Sequence, residues 1–314
     1  MSLNQSTSAE PDDGGSRAPT ITPYSVRETN LGQLPISRAL PIRERRMVGP
    51  WCFLDTFGPL SFEGQGPMQV PPHPHIGLQT VPWLLEGEVL HNDSLGFQAV
   101  VSPGGVNVMT TGQGIAHAEE TPQHHSSRLS GVQLWVALPE AHRHVEPTFT
   151  HLAQVPKIEL SGGLIQLFAG TYEGATCPAT YYSETIGMEV QLVPNQRISL
   201  ALKPKFEHAI LVMEGDGSIE GQSLAKKTLY YFGACRDGIE IRSQVGGRFL
   251  LIGGSPFPEK ILMWWNFVAR TPDEIRLARE GWQARRRFGD VQGTQLTRLS
   301  APDLRRFAQP NPAS

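Results

Sequence analysis

The chain has 314 residues and a formal net charge of −3, with 39% hydrophobic and 18% charged residues. This length allows two domains with their own cores, and the slightly acidic balance argues against direct nucleic-acid binding, which needs a basic surface. Apolar runs are far shorter than a bilayer span, so a membrane protein is not expected. Gly (32) and Pro (26) are abundant, which is typical of short strands joined by tight turns.

The N-terminal segment is rich in Ser, Gly, Pro and acidic residues, and this composition predicts disorder over residues 1–20. It has no basic start followed by an apolar stretch, so no secretory signal is indicated. The cysteines are odd in number and far apart, which argues against a disulfide framework. They are Cys52, Cys177 and Cys235. A cytoplasmic protein with reduced, buried cysteines is therefore expected.

Residues 21–150 are predicted to form a first β-barrel. Short β-favouring runs alternate here with turn signals such as residues 86–88 (EGE) and 92–93 (ND), a pattern typical of an antiparallel barrel or sandwich. Residues 132–138 (VQLWVAL) predict a central buried strand that Pro139 ends.

A basic cluster, RERRM, occupies residues 43–47. Charges in such a place commonly protect a strand edge from pairing with another chain. We interpret the cluster as a solvated edge of this kind. A recognition patch is the alternative.

Two pairs of polar side chains in the first barrel suggest a metal site. His73 and His75, and likewise His117 and Glu119, are spaced i, i+2, so each pair points to one face of an extended strand. If the strands lie side by side, three imidazoles and one carboxylate meet, a donor set that suits iron, manganese, copper or zinc. One histidine alone is usually an ordinary core or surface residue. The coincidence of two pairs favours a metal with open positions for substrate or dioxygen.

His91 lies between the two ligand strands in the sequence and is a further candidate for the pocket. Residues 112–114 (GQG) lack a surrounding βαβ unit, so a tight backbone bend is preferred to a phosphate loop. The other histidines of this half are expected on loops and the surface: His124, His125, His142, His144 and His151.

Residues 151–260 are predicted to form a second barrel that repeats the first without its ligands. HAILVMEGDG echoes VPWLLEGEVL, so the turn at residues 214–215 takes the place of the turn at residues 86–87. Counting back equal distances, Ala201 and Lys203 fall where the histidine pair of the first barrel stands. One metal is therefore expected, in the N-terminal barrel.

Residues 261–314 form a C-terminal segment. The apolar run at residues 262–268 (LMWWNFV) is expected to return to the first barrel. Thr271 as N-cap, followed by Pro and two acidic residues, predicts a helix over about residues 272–288. Three consecutive arginines near its end would then face the negative pole of the helix. The tail, residues 309–314, is expected to be loose.

The sequence around the metal motif resembles the signature of the pirins, which belong to the cupin superfamily. The resemblance is carried by HPHIGLQTVPWLLEGEVLHNDSLG and MTTGQGIAHAEE, with RRMVGPWCFLDTFGP upstream and MWWNFVARTPDEI and FGDVQG downstream. It spans roughly residues 22–300. It implies an all-β fold of two tandem cupin barrels (double-stranded β-helices, or jelly rolls) with a short C-terminal helix. It also implies one iron ion in the N-terminal barrel, held by His73, His75, His117 and Glu119.

One position departs from the family pattern. Many pirins, and cupins in general, have Glu four residues after the second histidine, where this chain has Gln79. The resemblance places this residue near the metal, where a neutral amide would change the redox potential of the ion. Fe(II) is the expected ion, although the donor set also accepts Mn, Ni, Co, Cu or Zn.

Several pirins resemble quercetinases, which are iron-dependent dioxygenases that open the central ring of flavonols and release carbon monoxide. This implies a flavonol-like aromatic substrate and dioxygen, with Glu119 as a ligand and candidate general base for the flavonol 3-hydroxyl. The alternative is a regulatory pirin in which iron controls the binding of a protein partner without turnover. A third interpretation is another small-molecule cupin enzyme that uses the same site.

Overall fold

The computed structural model describes residues 20–31, 34–62, 68–304 and 311–312. Within these ranges the chain consists of antiparallel strands and a single α-helix. None of the described helical structure is long and apolar enough to cross a membrane. The disorder expected for residues 1–20 falls outside the described ranges, apart from Thr20.

The strands of the first half, apart from the first of them, build one barrel from two antiparallel sheets. In chain order they are β1 (Thr22–Ser25), β2 (Arg27–Leu31), β3 (Leu34–Leu40), β4 (Trp51–Ser61), β5 (Gln69–His75), β6 (Leu78–Glu86), β7 (Val89–Asp93), β8 (Gln98–Val101), β9 (Val106–Thr110), β10 (Ile115–Glu120), β11 (Arg128–Ala137) and β12 (Thr148–Leu152). One sheet has the order β12-β9-β6-β11-β4-β3-β2, and the other has the order β5-β10-β7-β8. As predicted, β11 is a central strand that ends before Pro139.

The second half builds another barrel and a C-terminal extension. Its strands are β13 (Lys157–Leu160), β14 (Gly163–Ala169), β15 (Thr171–Tyr172), β16 (Ala175–Thr176), β17 (Thr185–Leu192), β18 (Gln196–Ala201), β19 (Glu207–Gly215), β20 (Ser218–Ile219), β21 (Gln222–Ser223), β22 (Thr228–Gly233), β23 (Gly238–Ser243), β24 (Gly247–Gly254), β25 (Leu262–Trp264), β26 (Phe267–Ala269) and β27 (Asn311–Pro312). The barrel sheets have the orders β1-β22-β19-β24-β17-β14-β13 and β18-β23-β20-β21. The predicted all-β fold of two tandem barrels with a short helix is confirmed.

The first strand of the chain does not belong to the first barrel. β1 pairs with β22, with Thr22 opposite Tyr231, so it forms an edge of the second-barrel sheet. The Arg45 guanidinium, from the connection that follows β3, lies 3.7 Å from the centroid of the Tyr231 ring. The first barrel was expected to begin at residue 21, but the strand at Thr22–Ser25 belongs to a sheet of the second barrel.

Strand β6 of the seven-stranded sheet is buried on both faces, which explains why its sequence is mostly apolar. Val81, Trp83 and Leu85 on one face of β6 join the core that includes the second barrel. The Trp83 ring stacks on Phe168 of the second barrel at 5.0 Å between centroids. Alternate residues of the same strand face the interior of the first barrel, because side chains alternate along a strand.

An ion pair of the second barrel, with a buried carboxylate, also contacts the first barrel. Glu189 Oε1 accepts from Arg248 Nε at 2.5 Å, and Glu189 Oε2 accepts from the indole N–H of Trp83 at 2.7 Å. Arg248 also donates to the carbonyl of Leu85 at 3.2 Å. The Glu189 side chain is only 1% exposed. Its charge therefore depends on these donors rather than on water.

The predicted start of the helix is confirmed. Helix α1 (Pro272–Gln283) follows Thr271, whose side-chain oxygen accepts from the backbone N–H of Glu274 at 3.3 Å. Pro272 occupies the first turn, where a missing N–H costs no helical hydrogen bond. Asp273 and Glu274 stand at the positive pole of the helix.

The helix is shorter than the predicted range of residues 272–288. It ends at Gln283, and the φ angles of Arg285 and Arg287 are +52° and +83°. These left-handed conformations turn the backbone away from the helical path. The three arginines therefore lie beyond the last helical turn, and Arg287 Nε donates to the carbonyl of Gln113 on the first barrel at 2.6 Å.

The C-terminal segment packs on the first barrel, as its apolar run predicted. Ile76 forms a parallel bridge with Phe267, and the Phe267 ring stacks on Phe288 at 5.9 Å. Ala116 and Trp282 join the same apolar cluster. The looseness expected for the tail falls outside the described residues, except that β27 pairs with β25.

We predict that Arg248→Met lowers the free energy of unfolding by about 3–5 kcal/mol, because it leaves a buried carboxylate without its cation. The matched control is Arg242→Met, which breaks an exposed pair with Glu240 and is expected to cost less than about 1 kcal/mol. Urea unfolding of both variants measures the difference. Equal losses would contradict the anchoring role of Arg248.

Candidate metal centre

The pairing of three strands gathers the two ligand pairs predicted from the sequence. β10 lies between β5 and β7, with His117 opposite His73 on one side and opposite Asp93 on the other. On the β5 side the register shifts between His117 and Glu119, so Glu119 stands opposite Val70. The distant parts of the chain therefore meet on one sheet, as the two i, i+2 spacings require.

The three imidazoles converge. His75 Nε2 and His117 Nε2 are 3.1 Å apart, and the ring centroids of His73 and His117 are 4.4 Å apart. One ring nitrogen from each of the three lies within 4.8 Å of the others. All three side chains are buried. This is the geometry of a group that can share one metal ion.

Backbone carbonyls orient two of these rings. His73 Nδ1 lies 2.8 Å from the carbonyl of Pro71, and His75 Nδ1 lies 3.0 Å from the carbonyl of Asn266. A carbonyl only accepts, so each Nδ1 carries the hydrogen and each Nε2 keeps its lone pair for the cluster. Metal-bound histidines are commonly fixed by the same kind of contact.

Burial keeps the cluster neutral. It lowers the pKa of His73 to about 4, and it lowers the pKa values of His75 and His117 well below the usual range, helped by the neighbouring imidazoles. At neutral pH all three rings are therefore uncharged. A divalent cation needs imidazole in this form as a ligand. The donor set fits a transition metal.

Glu119 lines the same cavity as the three histidines but is not in the group within 4.8 Å. Its carboxylate is half-buried and makes no side-chain hydrogen bond or ion pair within the described part of the chain. Burial raises its pKa to about 7. A carboxylate of this kind is available to a cation or to a proton.

His91 lies behind His117 and is not among the side chains that line the cavity. Its Nδ1 is 3.3 Å from His117 Nδ1, its Nε2 is 3.1 Å from an Asp93 carboxylate oxygen, and its ring stacks on Phe149. The carboxylate accepts the Nε2–H of His91, which leaves Nδ1 to accept from His117. In this arrangement His117 keeps the lone pair of Nε2 for the cluster.

The structure does not bring Gln79 to this cluster. Its amide nitrogen donates to Thr110 Oγ1 and to the carbonyl of Thr180 in the second half of the chain, both at 2.9 Å. The next residue, Thr80, lines the cavity. Strand alternation therefore places Gln79 on the opposite face of β6, against the second barrel.

The histidine cluster opens into a cavity of about 920 Å³. The cavity has an aromatic wall, in which the His75 ring lies 5.2 Å from Trp135 and the Trp135 ring stacks on Phe53 at 4.0 Å. Part of the lining comes from the C-terminal segment, which sequence reasoning treated only as packing. These residues are Met263, Trp265, Asn266 and Leu299. The apolar run at residues 262–268 was the one available signal of their contribution.

The basic cluster at residues 43–47 is placed differently from the interpretation based on sequence. It lies in the connection between β3 and β4, and Arg43, Glu44 and Arg46 line the cavity. The cluster therefore borders the candidate site rather than the solvated edge of a strand. The reason is tertiary, because this connection crosses the open end of the barrel.

In the second barrel, the residues described by the structure form no comparable group of three metal-binding side chains. Ala201 ends β18, and Lys203 follows it as an exposed residue. His208 is buried beside Phe206, with 6.0 Å between ring centroids. The duplicated scaffold thus keeps its strands, and the histidine cluster lies in the first barrel.

Comparisons with known proteins agree with the fold. Residues 33–136 match the pirin family model, and residues 187–289 match the model of the pirin C-terminal cupin domain. A Pseudomonas aeruginosa protein, whose name assigns it provisionally to the quercetin 2,3-dioxygenases, is 42% identical over 87% of each chain. A pirin-like protein of Caulobacter vibrioides is 36% identical over 84% of this chain and 93% of its own.

A similar crystal structure also agrees with this fold. Quercetin 2,3-dioxygenase from Acinetobacter baumannii superimposes with a TM-score of 0.88 and 38% identity, covering 94% of this chain and 98% of its own. The two family models and the relatives cover both barrels, so the likeness concerns the whole architecture and not the histidine motif alone. The chain belongs to the pirin family of bicupin proteins.

Proposed function

We propose that this pirin is an iron-dependent dioxygenase that opens the central ring of flavonols, in the manner of a quercetin 2,3-dioxygenase. The observation that carries the proposal is the convergence of three neutral, buried imidazoles with an unpaired carboxylate on one cavity. The names of the Pseudomonas and Acinetobacter relatives support the choice of substrate. The reaction would take place in the first barrel.

His73, His75, His117 and Glu119 are the proposed ligands. The histidines supply three neutral donors, and Glu119 supplies one negative charge that partly balances a divalent ion. Fe(II) bound here would supply Lewis acidity toward a substrate hydroxyl and electron transfer to dioxygen. The carbonyls of Pro71 and Asn266 hold the rings of the first pair in the required orientation.

Glu119 is also the proposed general base. Burial raises the pKa of this carboxyl to about 7 in the metal-free protein. A bound cation would lower that pKa, but it would also acidify the flavonol 3-hydroxyl, whose proton the carboxylate would take. The described residues give it no competing partner. The proton would stay on the carboxyl oxygen of Glu119.

The cavity suits a planar aromatic substrate. Its volume, about 920 Å³, lies within the range common for small-molecule sites. The stacked Trp135 and Phe53 rings form an aromatic wall that begins beside His75. A flavonol lying on this wall would direct one end toward the histidines.

We predict that zinc, a redox-inactive substitute for iron, stabilises the metal-free protein. At 100 times the dissociation constant, one bound ion adds about 2.7 kcal/mol to the free energy of unfolding. His75→Ala should abolish this gain, because it removes a central donor. His124→Ala, which changes an exposed histidine, should keep it. Thermal unfolding with and without zinc tests the site, and an undiminished gain in His75→Ala would contradict it.

Anaerobically loaded Fe(II) protein should consume quercetin and oxygen together. Glu119→Gln is expected to lower the turnover rate by about 10²–10⁴-fold, since the amide cannot accept the proton. The matched control is Glu120→Gln, an adjacent half-buried carboxylate that accepts from Asn92 and lies outside the cavity lining. It should retain the wild-type rate. Absence of oxygen uptake by fully loaded wild-type protein would overturn the enzymatic proposal and favour a regulatory pirin.

We propose that His91 positions His117 for the metal. His91→Phe keeps a ring to stack on Phe149 but removes the acceptor of the His117 Nδ1–H. Metal affinity should therefore fall by about 10–100-fold, the usual effect of losing such a contact. Competition with a chromophoric chelator measures the affinity, with His124→Phe as the control. Unchanged affinity in His91→Phe would rule out the positioning role.

A further inference from the structure

The cavity carries an unbalanced set of arginines. Its lining includes Arg27, Arg43 and Arg46. Within the described ranges of the chain, none of these side chains makes a hydrogen bond or an ion pair. Arg27 and Arg43 are exposed, and Arg46 is half-buried. These side chains therefore mark the solvent-facing mouth of the cavity.

The acidic side chains of the lining do not neutralise this group. Asp55 is buried and accepts from Arg38 through both oxygens, at 2.8 and 2.7 Å. Glu119 lies with the proposed metal ligands at the inner end. Glu44 is then the one described acid of the lining that remains near Arg43 and Arg46 in the chain. Burial raises the pKa of Asp55, and the charges of Arg38 and Arg27 oppose that rise, so the three arginines without an ion pair share the lining with two acids, Asp55 and Glu44, besides the inner Glu119.

The aromatic wall joins this cationic mouth to the histidines. It runs from His75 to Trp135 and then to Phe53, whose ring lies 4.7 Å below the Arg38 guanidinium. The Arg38 guanidinium lies at the end of this wall, where its ion pair with Asp55 fixes its position. Arg27 stands opposite Arg38 in the pairing of β2 with β3, so a planar molecule along this wall has one end near the metal cluster and the other near Arg27.

We propose that the substrate is an anionic aromatic compound, in which an oxyanion substituent binds Arg27, Arg43 and Arg46 while a hydroxylated ring enters toward the metal. Guanidinium groups bind carboxylate, sulfonate, sulfate and phosphate through paired N–H donors, which suits recognition at such a mouth. This inference rests on the proposed function, because the hydroxylated ring is placed at the proposed metal site. The proposal adds a preference for substrates with an anionic substituent, which an unsubstituted flavonol lacks.

The arginines without an ion pair are informative because like charges on one cavity lining repel each other unless an anion or solvent compensates them. A barrel that binds only a neutral aromatic compound has no need for three cations at its mouth. A substrate anion would compensate them and would also be steered to the cavity from solution.

Binding can be measured apart from turnover. Zinc-loaded protein is titrated with quercetin and with quercetin that carries a sulfonate on its outer ring, and tryptophan fluorescence is followed, since Trp135 and Trp265 line the cavity. We expect the sulfonated compound to bind at least about tenfold more tightly at low salt, as for one good charge-assisted contact. The preference should shrink at high salt.

Arg43→Glu combined with Arg46→Glu should remove the preference, which is the ratio of the two affinities measured on the same protein. The control combines Lys203→Glu and Lys226→Glu, which change the net charge equally on exposed positions of the second half of the chain. Since Arg46 is half-buried, the single variant Arg43→Gln provides a milder test, and it should reduce the preference several-fold.

The outcomes separate the two proposals. Equal binding of both compounds, unchanged in the arginine variants, would overturn anion selection and leave the dioxygenase proposal to the oxygen-uptake assay. A preference lost only in the arginine variants would support anion selection even if the iron-loaded protein consumed no oxygen. Loss of the preference in the lysine control as well would show a general charge effect and overturn the assigned role of the mouth.

Discussion

The register of β10 between β5 and β7 is the constraint on which the candidate site depends. It places His117 opposite His73 and brings Glu119 to the same cavity through a local shift of pairing. Side chains alternate along a strand, so a slip of one residue would turn the whole donor set to the other face. The burial that this register imposes also makes the imidazoles neutral. Strand pairing thus sets both the position and the protonation state of the proposed ligands.

The two faces of the seven-stranded sheet in the first barrel have different tasks. On one face, the indole N–H of Trp83 donates to Glu189 of the second barrel, and Glu189 also pairs with Arg248. The other carries Trp135 along the wall of the cavity. The second barrel therefore supports the back of the sheet on which the site is built. The described residues of the second barrel form no group of three metal-binding side chains.

The cavity combines three physical environments in sequence: neutral donors for a cation, an aromatic wall, and arginines open to solvent. Each environment comes from a different part of the chain. The wall residue Phe53 follows the basic connection, and Trp265 reaches the cavity from the C-terminal hairpin. A substrate that fills this space must match all three environments. The proposals of flavonol-type chemistry and of anion selection therefore concern opposite ends of one cavity.

The sequence by itself determined the all-β class, the duplicated barrels, the helix start at Thr271 and the histidine pair at residues 73 and 75, because these follow from local spacing and turn chemistry. Only the tertiary structure decided the remaining features. In the folded chain, Gln79 faces the second barrel, His91 lies behind His117, and the basic cluster lines the cavity. The tertiary structure also gave β1 to the second barrel. These outcomes depend on which strands pair and which face is covered, and contacts between residues far apart in the chain leave no local pattern to read.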